Sequence, residues 1–308
     1  MNAASSPVAD KLHLIPLSPP LPGFERFISI WLYQGKPSFL VDVGPASTVD
    51  TLFECLDQLE VTDLDYILLT HIHLDHAGAI GEVAAKFANT PIVCQAAAIP
   101  HLIAPQRLWE GTKSVLGETA LGYGPITAVA AERLVDAAEF SEKAIEVIQT
   151  PGHAVHHVSY ATGDFLFAGE TSGVWMDLNA KGEYLRPATP PRLYLDTAIA
   201  SLEHLMAAAP RWLCYSHFGI GDGARERLKR HYDQLLYWEQ LIDRLSAQKD
   251  NAEDMVDECF KMLLAEDSLV KNFSSLPPTT QQREAYFMRN SIRGYLGWLQ
   301  EKAKRGNQ

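Results

Sequence analysis

Three imidazoles and a carboxylate fall within six residues of this chain, as His71-x-His73-x-Asp75-His76. Seven of the eleven histidines lie in three places, at 71, 73 and 76, at 153, 156 and 157, and at 217. Each place follows a short apolar run that reads as a strand, and strand ends followed by loops are where sites are assembled. Side chains alternate along an extended backbone, so His71 and His73 point the same way and can share one ion. Asp75 and His76, on the turn into the next helix, can face a second. Imidazole nitrogens with a carboxylate suit zinc, and also iron or manganese. His153, in ProGlyHis, would complete the set of the first ion, and His217, in SerHisPheGly, that of the second. Glu170, after PheLeuPheAlaGly, can supply a carboxylate between two cations.

The elements that must position these groups can be read from pattern. Phe27–Gln34 and Ser38–Val43 are rich in β-branched and aromatic residues and are split by GlyLysPro, which predicts a hairpin. Short strands are expected at Asp65–Leu69, Pro91–Cys94, Ala144–Gln149, His157–Thr162, Phe165–Ala168 and Trp212–Tyr215, and helices at Thr48–Leu59, Ala77–Phe87 and Asp196–Ala209. Prolines and glycines interrupt any period over residues 95–133, which reads as an inserted lid or loop region. Beyond Gly223, apolar residues recur at helical spacing. A last helix is expected after the proline pair at 277–278, with Thr279 and Gln282 spaced like a capping box. The expected division is a catalytic domain over 1–222 and a helical extension over 223–308.

Bulk properties narrow the partners. The chain has 308 residues, 47% hydrophobic, with 26 basic and 38 acidic residues, a formal charge of −12. A phosphate-neutralising surface is usually basic, so polymeric nucleic acid is disfavoured and a small-molecule substrate expected. Cys55, Cys94, Cys214 and Cys259 sit among apolar neighbours and read as buried thiols in a reducing compartment. No export signal is visible in MNAASSPVADK, and no apolar stretch is long enough to cross a bilayer. The expectation is a cytoplasmic protein with no membrane association.

The chain resembles the metallo-β-lactamase superfamily, whose ThrHisXHisXAspHis signature stands here as Thr70–His76. The resemblance covers about residues 12–220 and includes ThrProGlyHis at 150–153, an acidic residue after a strand, and a final histidine. It implies an α/β fold, the αββα four-layer sandwich, here with the C-terminal helical appendage. Within the superfamily the chain is similar to the branch of glyoxalase II-like thioesterases and lactonases rather than the antibiotic-cleaving enzymes. The family roles imply His71, His73 and His153 on one ion, and Asp75, His76 and His217 on the other. One departure stands out, because the bridging residue of most members is aspartate and Glu170 takes its place here. An added methylene moves the carboxylate outward by about 1.3–1.5 Å. Asp164, at the other end of PheLeuPheAla, is the rival bridge.

Two such ions lower the pKa of a shared water from about 15.7 toward about 7. The resulting hydroxide would attack an ester, thioester or lactone carbonyl, with Asp75 orienting it and one ion stabilising the oxyanion. His157 and Asp42 are expected to orient ligands from behind. Tyr215, Trp109 and Trp175 are the expected pocket residues, with Tyr123 and Arg186 as further lining candidates. The helical tail either covers the site or supplies a homodimer contact. The competing functions are a phosphodiesterase on the same scaffold and a metal-binding sensor or effector without turnover.

Overall fold

The computed structural model describes residues 5–9, 11–246 and 252–306. Two sheets form its centre. The first has seven strands in spatial order β1 (Ser6–Ala9), β2 (Leu12–Leu17), β3 (Ile28–Gln34), β4 (Ser38–Val41), β5 (Tyr66–Leu68), β6 (Ile92–Cys94) and β7 (Leu134–Asp136). Its first four strands pair antiparallel and the remainder parallel. The second sheet runs β14 (Ile220–Asp222), β13 (Trp212–Cys214), β10 (Phe165–Phe167), β9 (Val158–Thr162) and β8 (Glu146–Gln149). A separate ribbon pairs β11 (Val174–Asp177) with β12 (Glu183–Arg186).

Strand alternation builds the layers. In β3 to β6, Trp31, Phe39, Val41, Leu68 and Val93 point one way, into a cluster shared with Val158, Tyr160, Phe167 and Cys214 of the second sheet. Their neighbours Ile30, Leu32, Leu40, Ile67 and Ile92 point the other way, onto α1 (Val49–Gln58), α3 (Ile80–Lys86) and α4 (Ile99–Ile103). Leu166, Leu213 and Tyr215 lie on the outer face of the second sheet, against α7 (Leu195–Ala208), α8 (Ala224–Ser246), α9 (Ala252–Glu266) and α10 (Pro278–Gly306). The result is the expected αββα sandwich. Sheets with a side-chain period of two and apolar residues on both faces demand cover on each side.

Three features differ from the pattern reading. Residues 95–133 are mostly helical, as α4, α5 (Gln106–Leu116) and α6 (Glu118–Tyr123). Pro100, Pro105, Gly117 and Gly124 punctuate that stretch into pieces too short to show a period. The helix expected at Ala77–Phe87 is split into α2 (Leu74–Ala77) and α3, so Asp75 and His76 are themselves helical. Helix α10 begins at Pro278, a residue well suited to the first turn, so Thr279 lies inside the helix rather than capping it. The division expected at 222/223 falls between β14 and α8, and α8–α10 share one apolar cluster with the second sheet. No described helix is long and apolar enough to cross a membrane.

Candidate metal centre

The parallel strands β4 and β5 end side by side and deliver the first groups. Asp42 follows β4 with φ of 60°, a left-handed conformation that aspartate tolerates better than most residues. There its carboxylate accepts the Thr70 backbone N–H at 2.8 Å, the Thr70 hydroxyl at 2.9 Å, and the His76 Nδ1–H at 3.2 Å. Because the Thr70 hydroxyl donates to Asp42, its oxygen is left to accept from His71 Nδ1, 3.0 Å away. Asp42 thus sets two rings at once. The sequence marks Asp42 as an orienting residue, and Thr70 only as the first residue of the signature, without a role for its hydroxyl.

Other rings are aimed by backbone carbonyls. His217 donates through Nδ1 to the Phe27 carbonyl at 3.1 Å, and His153 through Nδ1 to that of Ala188. Carbonyl acceptors leave no mark in a side-chain pattern, so neither partner was readable in advance. Carbonyls and carboxylates only accept, so each of these rings keeps its proton on the outer nitrogen. In the neutral form of these rings, the inner nitrogens of His71, His76, His153 and His217 then turn lone pairs toward one another.

Those lone pairs converge. His73 Nδ1 lies 3.1 Å from His71 Nε2 and 2.9 Å from His153 Nε2, and a single proton on it bridges at most one of these contacts. His71, His73, His153 and Glu170 form one group with ligand atoms within 4.8 Å of one another, and Asp75, His76 and His217 form another. His76 Nε2 is buried without a hydrogen-bond partner. A buried polar atom without a partner is costly, and several lone pairs facing each other repel. A divalent cation in each group removes both costs, and the N/O donor set matches zinc chemistry. The residues fit the metals that the resemblance implies.

Glu170 reaches both groups. Its Oε2 is 2.7 Å from His153 Nε2 and 3.4 Å from His71 Nε2, while its Oε1 is 3.1 Å from His217 Nε2. Its backbone N–H donates to His157 Nε2 at 3.1 Å, and Thr150 Oγ1 stands 2.8 Å from the other ring nitrogen. Gly169 has φ of 58°, and a side chain there would collide with the His157 ring. So His157 positions the Glu170 backbone, and burial keeps its ring neutral, far below the usual histidine pKa. Asp164 sits in the β9–β10 turn, where its carbonyl accepts the Trp212 N–H, and it joins neither group.

The centre opens into a cavity of about 570 Å³, walled by Ile72, Leu74, Leu108, Leu116, Tyr123 and Phe287 among others. Three expected pocket residues are elsewhere, and this is a correction. Tyr215 points to the outer face of its sheet, where its ring stacks on Trp175 at 5.2 Å under α8. Regular strand alternation predicts Tyr215 and His217 on one side, but the chain leaves the strand after Cys214 and turns at Phe218, whose φ is 62°. Trp109 packs onto the helical side of the first sheet. Tyr123 and Arg186 do line the cavity, as does His156, whose pKa burial drives down to about 3. Burial first, then the charges of Asp75 and Glu170, raise the Tyr123 phenol well above its ordinary pKa.

A family profile described as the metallo-beta-lactamase superfamily matches residues 23–217. The chain is 27% identical over 240 residues to the metallo-beta-lactamase fold-containing protein ST1585 of Sulfurisphaera tokodaii, covering 75% of this chain and 86% of that one. The crystal structure of ST1585 superimposes with a TM-score of 0.63 over 73% of this chain and 86% of that chain, at 25% identity. A family protein from Thermus thermophilus superimposes with a TM-score of 0.65 over 96% of this chain and 95% of its own, at 20% identity, so the likeness of fold extends through the C-terminal helices. The hydroxyacylglutathione hydrolase of Shewanella baltica is 31% identical over 147 residues, which span 46% of each chain.

Proposed function

Because this chain belongs to the metallo-beta-lactamase superfamily, we propose that it is a metal-dependent hydrolase of a small ester, thioester or lactone, using two divalent ions, with zinc the best match. His71, His73 and His153 would hold one ion, Asp75, His76 and His217 the other, and Glu170 would touch both. Such ions supply water that is activated near neutral pH and polarise the oxygen under attack.

The chain's own side chains account for the rest. Asp75 lines the cavity with its carboxylate at the edge of the cluster, 3.5 Å from His76 Nε2, where it can accept a hydrogen bond from the attacking water and fix its direction. Tyr123 stays protonated at neutral pH and can donate to the oxygen that gains charge. The apolar walls lower the local polarity around the site, which strengthens both interactions. The hydroxyacylglutathione hydrolases among the relatives support an acyl substrate. No nucleophilic serine or cysteine is required.

The observation that carries this reading is the Glu170 carboxylate between two groups of inward-facing imidazole nitrogens. The test is elemental analysis of the purified protein, followed by a panel of aryl esters, thioesters, lactones and bis-aryl phosphates with and without chelator. Two ions per chain and chelator-sensitive cleavage of an acyl substrate are expected. Cleavage of the phosphates alone would move the assignment to a phosphodiesterase. No cleavage after reconstitution with zinc, manganese or iron would leave a metal-binding sensor.

A further inference from the structure

The cavity wall inverts the charge balance of the molecule. The chain carries 38 acidic and 26 basic residues, yet the acidic residues lining the cavity are Asp75 and Glu170, both within the histidine cluster. The other charged side chains of the lining, histidines aside, are Arg107, Arg186 and Arg192.

These arginines differ in what holds them. Arg186 is 3% exposed and donates to Glu284 through Nε and Nη2 and to the Pro187 carbonyl through Nη1. Arg283 also pairs with Glu284, so the buried group of two guanidiniums and one carboxylate keeps one positive charge in excess. Arg107 and Arg192 are exposed, and neither has a carboxylate within ion-pair distance among the described residues. Arg192 lies over the Tyr194 ring at 5.4 Å. A solvent-facing arginine without a partner is ordinary by itself. Two of them on one cavity, beside a buried positive excess and on an acidic protein, make a local field that attracts anions. The remaining wall is apolar, with Leu108, Val115, Leu116 and Phe287 prominent.

We propose that this cavity selects acyl substrates whose apolar body ends in an anionic group, and that Arg107 and Arg192 pair with that anion. As a statement about substrates it rests on the hydrolase reading above. A carboxylate and a phosphate share the needed chemistry, since a guanidinium matches either through paired N–H donors.

The test separates binding from turnover. Adipate and hexanoate have the same length and differ by one terminal carboxylate, so calorimetry on the metal-loaded protein measures what that second charge contributes. Adipate should bind about tenfold more tightly. The paired variant Arg107→Gln with Arg192→Gln should reduce the preference to within about twofold, with little change in folding because both side chains are exposed. The ratio of kcat/KM for the 4-nitrophenyl half-ester of adipate over 4-nitrophenyl hexanoate should fall in parallel. A phosphonate-ended hexanoate that binds more tightly than adipate would identify a phosphate-like anion, and weaker binding a carboxylate; both uphold the pairing. Equal binding of adipate and hexanoate, binding of neither, or a preference that survives in the double variant overturns it. If the preference is present but neither ester is cleaved, the hydrolase reading falls and the anion site stands.

Discussion

The rings of Phe27 and His217 stack at an interplanar angle of 28° with centroids 4.2 Å apart, and the Phe27 carbonyl accepts the His217 Nδ1–H at 3.1 Å. Residue 27 therefore holds His217 in two separable ways, by ring contact and by backbone. Arg283 of α10 stands 4.5 Å over the same ring, which ties the C-terminal helix to the site. Phe27→Leu removes the aromatic contacts but keeps the carbonyl. It should cost about 1–3 kcal/mol of stability in denaturant unfolding while leaving metal stoichiometry intact. Loss of an ion from a folded Phe27→Leu protein would show that the ring, not the carbonyl, sets the His217 geometry.

Glu170 departs from the aspartate usual in the family, and the structure gives that departure a physical meaning. His157 fixes the backbone at 169–170, so the side chain must span the remaining distance to both groups. Glu170→Asp withdraws the carboxylate by about 1.3–1.5 Å. The contacts at 2.7 Å to His153 and 3.1 Å to His217 cannot both survive this, and metal content should fall toward one ion per chain. Glu170→Gln keeps the reach and removes the charge, so it should weaken metal binding by at least about tenfold. Two tightly held ions in both variants would remove Glu170 from the bridge.

A third expectation concerns acid stability. Burial opposes ionisation of Glu284, but Arg186 and Arg283 outweigh it and hold its carboxyl at about 2, below an ordinary 4.5. A depressed carboxyl stabilises the fold above its unfolded pKa, and the contribution is lost as pH falls through the folded value. Here that window runs from about 4.5 down to about 2, and the contribution at neutral pH is on the order of 3 kcal/mol. Glu284→Gln should be markedly less stable than the natural chain at pH 7. The gap should close progressively below pH 4.5, measured as unfolding free energy against pH. A gap independent of pH would mean that the loss reflects packing rather than charge.

Much of the site was legible because its donors cluster in sequence. Four of them share the turn from β5 into α2, and His153, Glu170 and His217 each follow a strand whose apolar run announces it. The αββα layers were legible through resemblance and through short apolar strands. Strand β2 was not, because LeuHisLeuIleProLeu contains a proline that argues against a sheet interior. Pro16 is tolerated because β1 pairs only with Leu12–Leu14, which leaves β2 an edge at that point. The cavity was the least legible part. Its walls come from α5, α10 and the segment 187–192, which approach one another only through tertiary packing, and a strand position such as Tyr215 does not reveal where regular alternation stops.

That cavity supplies the last prediction, on Tyr123. The residue is 1% exposed, lines the cavity, and senses the charges of Asp75 and Glu170 strongly enough that both raise its phenol pKa. Its ring also packs edge-on to Phe24 at 6.2 Å, which restrains the orientation. In the proposed reaction, a phenol held this way would act as a hydrogen-bond donor, not as a base. Tyr123→Phe keeps the packing and deletes the donor, so kcat should fall on the order of a hundredfold while KM and metal content change little. If KM rises and kcat holds, the hydroxyl contacts the substrate in its ground state. If neither moves, Tyr123 is only part of the wall, and the developing charge must be met by the metal centre alone.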